Sequence, residues 1–268
     1  MRASVHQVQR LLRHPDRRAA VATATAALST TSAAGLPTKH VLYKAHVPTS
    51  PLQKIAVAVG SAFTVFTDPE RGDMLAALGD VTGAVALRQM HLKMYSDPVG
   101  RQILAEKPRF RSHLVDIDAL RLLPTDTFGF AYTQFMDAHG FEADGRADVK
   151  FVDDPELAYV MQRYRELHDF WHVLYGLPPT EFAEIILKFV ELVQTGLPVC
   201  TLSGFVGPLR LTSGQRRQLL CTYIPWAHRA GKHAPFLMNV YYEKEFHTPL
   251  ADLRARLGIL LPPPPKDN

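Results

Sequence analysis

Between residues 46 and 260 the apolar positions recur three and four apart, in stretches separated by proline and glycine. That is the period of helices that bury one face. Ser50 before Pro51 opens the first, as an N-cap with proline in the first turn. Asp68 before Pro69 repeats the signal for "TDPERGDMLAALGD", with an end expected near Gly79. "VTGAVALRQMHLKMYSDP" and "DPVGRQILAEKP" continue the pattern, and "DIDALRLLPTDTFGFAYTQFMDAHGF" holds two shorter helices. Strand signals are scarce: residues 149–152 read as extended, but no alternation is long enough to build a sheet. The expected fold is all-α, one mostly helical domain over 46–260. A leader (1–45) precedes it and a disordered proline tail (261–268) follows.

One helix in this series carries chemistry as well as pattern. "DDPELAYVMQRYRELHDFWHVLYGLPP" starts with Asp153 or Asp154 as cap and Pro155 in the first turn, and stops where Gly176, Pro178 and Pro179 forbid continuation. Leu157, Val160, Met161, Tyr164, Trp171 and Tyr175 fall on one stripe, and His168 and His172 lie inside it. Arg163 and Glu166 fall off the stripe and are expected to face solvent. The next helix, "TEFAEIILKFVELVQTG", starts near Thr180, folded back by the Gly-Leu-Pro-Pro break. Its apolar stripe is Phe182, Ile185, Ile186, Phe189 and Val193. Glu184 lies opposite, on a face shared with Glu181, Lys188 and Glu191.

Charge changes the picture only at the N-terminus. The chain has 268 residues, 30 basic and 26 acidic, for a net charge of +4. Seven of the basic residues and one acid, Asp16, fall in residues 1–45; removing them leaves 23 basic and 25 acidic residues in the body. The basicity therefore belongs to the leader, and nothing in the body calls for nucleic acid. The leader is rich in Arg, Ala, Ser and Thr, and residues 5–18 can form a basic amphipathic helix. These are features of a mitochondrial transit peptide; an unstructured basic tail is the plainer reading. The most apolar run, "KIAVAVGSAFTVFTD", falls short of the ~20 residues needed to cross a bilayer. It reads as a core helix, or as a site of attachment to a membrane surface. Two cysteines, Cys200 and Cys221, are too few for a disulfide framework.

His168 and His172, at i and i+4, face the same way, the spacing with which one helix grips a metal through two nitrogens. The plain alternative is a pair of core histidines bonded to carbonyls. Asp169 sits roughly 100° around the helix from His168, placed either as a third ligand or as an acceptor that fixes one ring's tautomer. The pattern is near the HExxH of zinc proteases, but Asp169 is one carbon shorter than the glutamate base, which lowers peptide hydrolysis in rank. Positions 172 and 184 are equidistant from Pro178, so an antiparallel pair of helices brings Glu184 level with His172. Glu184 is then a ligand if its face looks into a polar cavity, and a solvated surface residue otherwise.

The segment "FVDDPELAYVMQRYRELHDFWHVLYGLP" closely resembles the Coq-four family of ubiquinone (coenzyme Q) biosynthesis proteins, whose motif is HDxxH, eleven residues, then Glu. His168, Asp169, His172 and Glu184 complete it. Further blocks match in order, among them "HVPTSPLQKIAVAVGSAF", "LPVCTLSGFVGPLRL" and "YIPWAHRAGKHAPFLMNVYYEKEF", so the resemblance spans residues 46 to 259. It implies a divalent metal, zinc first, with iron, cobalt, manganese or magnesium as alternatives, held by those four residues. It further implies a homo-oligomer bound peripherally to the matrix side of the mitochondrial inner membrane, with other ubiquinone-biosynthesis enzymes as partners. The activity implied is removal of the ring carboxylate from a polyprenylated 4-hydroxy-3-methoxybenzoate, with hydroxylation at the same carbon as a variant. A non-catalytic, prenyl-lipid-binding scaffold with a structural metal is the rival. Phe63, Phe66, Phe182 and Phe189 line a groove for the prenyl tail or, more plainly, pack the core.

Overall fold

Local capping chemistry sets where most of the helices begin. In the computed structural model, which describes residues 41–68 and 71–264, α1 (Pro51–Thr67) opens with a capping box. The Ser50 hydroxyl accepts from the Gln53 N–H, and the Gln53 side chain accepts from the Ser50 N–H. α2 (Gly72–Thr82) starts later than the Asp-Pro signal suggests. Asp68 closes α1, and no side chain caps α2. It also runs past Gly79, the expected end. A Cβ there would lie 3.6 Å from Val199 and 3.7 Å from Met161, so packing overrides the weak helix preference of glycine.

α3 (Ala84–Ser96) and α4 (Pro98–Glu106) meet at Asp97, which accepts from the N–H groups of Val99 and Gly100. The turn is tight enough to require glycine. A Cβ on Gly100 would sit 2.2 Å from the Met94 carbonyl oxygen and 2.6 Å from Asn239 Oδ1. Gly100→Ala should therefore cost about 1–3 kcal/mol or more, because backbone has to move. A shift in the denaturation midpoint with an unchanged m-value checks it.

α5 (Ile117–Arg121) and α6 (Phe128–His139) follow, capped by Asp116 and Thr127. α7 (Pro155–Tyr175) is capped by Asp154 and ended by Gly176 at φ +66°, a left-handed position that suits glycine. α8 (Glu181–Thr195) starts at the Thr180 cap. The remainder is α9 (Pro198–Val206), α10 (Ser213–Gln218), a π-helical turn (Leu219–Tyr223) leading into α11 (Ile224–His233), and α12 (Leu250–Arg256). Among the described residues there is no strand, only an isolated bridge between Thr127 and Pro249. Residues 149–152 are extended without a ladder. The fold is all-α, as the periodicity predicts.

α7 is the axis of the core. Eighteen of its 21 residues are buried, so it has no solvent face of the kind an amphipathic reading assigns. Arg163 and Glu166, expected outside, are 1% and 4% exposed. Each is paired with groups remote in sequence, although Arg163 Nε is buried without a hydrogen-bond partner. Arg163 donates to Glu243 and to the Val240 carbonyl. Glu166 accepts from Arg109, Gln162 and the Phe110 N–H, and pairs with Arg111. Phe110, Phe128, Tyr132 and Phe246 pack around Phe170 with ring centroids 4.7–6.0 Å from it.

α1 departs from expectation in the opposite sense. Leu52, Ile55, Val59, Phe63 and Phe66 form a stripe that faces outward, with Phe63 69% exposed, while Ser61 and Val65 are buried. Phe63 and Phe66 thus pack no core; Phe182 and Phe189 are partly buried against it. At the other end, Trp226 donates to the Leu261 carbonyl and Tyr223 to that of Pro263, so the start of the proline run, expected to be disordered from 261, is held on the fold. The leader expected as a transit peptide falls, up to residue 40, outside the described residues.

Candidate metal centre

The register between α7 and α8 follows from the turn between them. His172 meets Glu184, and one turn back on α7 His168 meets Glu191, so residue numbers rise on one helix as they fall along the other. The polar face of α8, which could have met solvent, looks instead at the histidine face of α7. The Glu184 carboxylate straddles both rings: Oε1 lies 3.1 Å from His172 Nε2, and Oε2 lies 3.4 Å from His168 Nε2. The two Nε2 atoms are 3.2 Å apart. His168, His172 and Glu184 are the residues, among those described, whose ligand atoms all lie within 4.8 Å of one another.

These separations suit a shared cation. Donors bound tetrahedrally to zinc at 2.0–2.1 Å stand ~3.3 Å apart. Both Nδ1 atoms face acceptors: the Leu177 carbonyl oxygen at 2.9 Å for His172, and Glu191 Oε1 at 2.5 Å for His168. With each Nδ1 donating to its acceptor, each Nε2 is left to turn a lone pair inward. Two buried ring nitrogens and the carboxylate of Glu184, whose side chain is 36% exposed, converge on one place and favour positive charge among them. A proton or a cation supplies it.

Electrostatics around the cluster are strongly coupled. Burial alone would raise the Glu184 carboxyl, but His168 and His172 reverse this and hold it far below the usual carboxylate range. Burial and Lys188 both disfavour protonated His168, yet Glu191 and Glu184 outweigh them and its pKa is raised. Behind His168 sits a group invisible to motif reading. Glu191, fully buried, accepts from Tyr164 at 2.5 Å and pairs with Lys188 at 2.6 Å. Burial pushes the Cys200 thiol, 3.6 Å from Glu191, up to about 12. The one available signal was the spacing of Glu184, Lys188 and Glu191 at i, i+4 and i+7 on a face opposite the apolar stripe.

Asp169 is not drawn into this cluster. Its carboxylate forms an ion pair with Arg146, which comes from the segment between α6 and α7. Arg165 pairs with Asp80 and Arg163 with Glu243, so both guanidinium groups are engaged away from the cluster. The aromatic side of the site belongs to α6: Phe135 stacks on His172 with centroids 5.4 Å apart.

Comparison with known proteins covers most of the chain. The family profile described as coenzyme Q (ubiquinone) biosynthesis protein Coq4 matches residues 43–263. The mitochondrial ubiquinone biosynthesis protein COQ4 homolog of Bos taurus is 47% identical over 236 residues, spanning 86% of this chain and 89% of that one. The Homo sapiens protein of the same name is 46% identical over 222 residues, spanning 83% and 84%. A crystallised ubiquinone-biosynthesis candidate from Nostoc punctiforme shares the fold, with a TM-score of 0.62 at 21% identity, over 78% of this chain and 99% of that one. On the profile match and these identities, the chain belongs to the Coq4 family of coenzyme Q (ubiquinone) biosynthesis proteins.

Proposed function

We propose that this chain removes the ring carboxylate of a polyprenylated 4-hydroxy-3-methoxybenzoate in ubiquinone biosynthesis, with a divalent cation held by His168, His172 and Glu184. The observation that carries the reading is the convergence of two Nε2 atoms and one carboxylate. Three protein donors are the number found in catalytic sites, whereas structural zinc sites close with four. Zinc is the first candidate; iron(II), cobalt, manganese and magnesium remain in the test, and two histidines with one carboxylate is also the donor set of iron(II) oxygenases.

Charge supports an anionic substrate. Asp169, Glu184 and Glu191 bring three negative charges, and Arg146 and Lys188 bring two positive ones, so the surroundings carry −1. With a divalent cation the sum is +1, which a benzoate monoanion neutralises. The bound cation supplies positive charge that orients the carboxylate or phenolate and stabilises charge developing there. The chemistry itself is a proton exchange on carbon. A proton adds at the carbon bearing the carboxylate while the para hydroxyl gives up its own, forming a dienone. The carbon–carbon bond then breaks, carbon dioxide leaves, and the electron pair restores the aromatic phenolate. Loss with hydroxylation at the same carbon instead requires dioxygen.

The outward stripe of α1 supports peripheral attachment to the inner membrane, where a prenylated substrate resides; no helix among the described residues is long and apolar enough to cross a membrane. That same stripe favours the second reading, a scaffold that holds prenyl lipid and the other enzymes of the pathway. Incubating purified chain, loaded with each divalent cation in turn, with substrate labelled in the carboxylate separates the two. Cation-dependent release of labelled carbon dioxide is expected, and the product shows whether hydrogen or hydroxyl has entered. No release with any cation, with or without dioxygen, ends the enzymatic reading and leaves the scaffold.

A further inference from the structure

The far nitrogen of an imidazole decides what the near one can do. For His172 the Nδ1 hydrogen goes to a backbone carbonyl, that of Leu177, which any side chain at 177 would provide. For His168 it goes to a side chain, Glu191, and that side chain is fully buried. A carboxylate held that deep is tolerable only when paired. Lys188 Nζ meets one of its oxygens at 2.6 Å, the Tyr164 hydroxyl donates to the same oxygen at 2.5 Å, and the other oxygen is left for His168. Apolar residues of similar size would serve packing as well as this pair does. A buried ion pair aimed at one ring nitrogen therefore calls for a role beyond stability.

Competition for His168 Nδ1 sharpens the point. Lys188 Nζ lies 3.4 Å from it, and a donor there would make Nδ1 an acceptor, moving the ring hydrogen to Nε2 and blocking that nitrogen as a ligand. The carboxylate at 2.5 Å wins the contest. Lys188, engaged by Glu191, is thereby turned from competitor into counter-charge.

We propose that Glu191, balanced by Lys188, is a positioning residue that locks His168 in the Nδ1–H tautomer and so presents its Nε2 lone pair to the cation. This rests on the reading of His168, His172 and Glu184 as a cation site. It adds a residue outside the HDxxH motif and its downstream glutamate, acting through His168 and not on substrate.

Two variants of the full-length protein test it without stranding a charge. Lys188→Met with Glu191→Leu removes the pair and the acceptor together. Lys188→Met with Glu191→Gln removes the charges but keeps an oxygen that can accept from Nδ1. Cobalt(II) affinity is read from its visible absorption, and ring tautomers from nitrogen–proton correlation spectra of the metal-free proteins at alkaline pH. In the leucine variant His168 should switch to Nε2–H and cobalt affinity should fall by about 10–100-fold, the usual effect of losing such a partner. The glutamine variant should recover the tautomer and most of the affinity. His172 should keep its Nδ1–H form throughout, as the internal control. A folded leucine variant with wild-type affinity overturns the proposal. So does an Nε2–H His168 in the wild type, which decides the matter even if the leucine variant does not fold. If the wild type binds neither cobalt nor zinc, the cation site itself fails, and this inference with it.

Discussion

Replacing His172 by alanine should abolish cation binding and carbon dioxide release together, while leaving the fold in place. The ring contributes one of three converging donors, and its Nε2 is the atom closest to both others, 3.2 Å from His168 Nε2 and 3.1 Å from Glu184. Without it, one imidazole and one carboxylate remain, and the affinity loss should exceed the 10–100-fold that follows when a merely supporting residue is changed. The structural cost is smaller: one hydrogen bond to the Leu177 carbonyl and a stack on Phe135 are lost, on the order of 1–3 kcal/mol for the unsatisfied carbonyl and void. Equilibrium dialysis with zinc, the labelled-carboxylate assay and circular dichroism, run side by side, check the three parts. His139→Ala is the control, since that exposed ring also packs against Phe135 but is not among the three donors. A His172→Ala protein that still holds its cation, or still releases carbon dioxide without one, would end the proposed chemistry.

The parts of this site that could be read from sequence are those set by local geometry. Caps are decided within four residues, so Ser50 and Thr180 mark their helices correctly, and of the two candidates Asp153 and Asp154 the second is the cap. The meeting of His172 with Glu184 is also local in this sense, because a short turn about Pro178 fixes the register of two antiparallel helices. Along α7 and α8 the differences from expectation come from partners far away in the chain. Glu166 and Arg163 look like surface residues until residues 109–111 and 240–243 are folded against α7. Asp169 sits beside His168 in sequence, yet Arg146, 23 positions earlier, takes its carboxylate. Glu191 belongs to a face that reads as solvated, and only the proximity of Tyr164, His168 and Lys188 turns it inward in meaning. α1 errs the other way: its strongest apolar positions point out, because the small residue Ser61 and Val65 form its buried side.

The largest effect on stability should come from that misread glutamate. Glu166→Ala removes the shared acceptor of a buried constellation: Arg109 Nη2 at 2.7 Å, Arg111 Nε at 3.2 Å, the Phe110 N–H at 3.0 Å and Gln162 Nε2 at 3.2 Å. The Glu166 side chain is 2% exposed and that of Arg111 13%, while Arg109 at 35% keeps partial access to water, so water replaces only part of what is lost. Breaking a buried pair by deleting one partner costs about 3–5 kcal/mol, because the remaining charge stays desolvated. Against a total stability on the order of 5–15 kcal/mol, that brings the protein close to unfolding at ordinary temperature. Glu166→Gln, which keeps an acceptor for the Phe110 N–H, should fall between alanine and wild type. Asp148→Ala tests whether the loss is a matter of burial or of charge alone. Asp148 contacts the same Arg111 at 2.7 Å but is 57% exposed, and its removal should cost less than about 1 kcal/mol. Urea midpoints for the three variants order them; if Glu166→Ala and Asp148→Ala cost the same, Arg109 and Arg111 reach water after all, and the pairing beneath α7 holds far less of the fold than its burial implies.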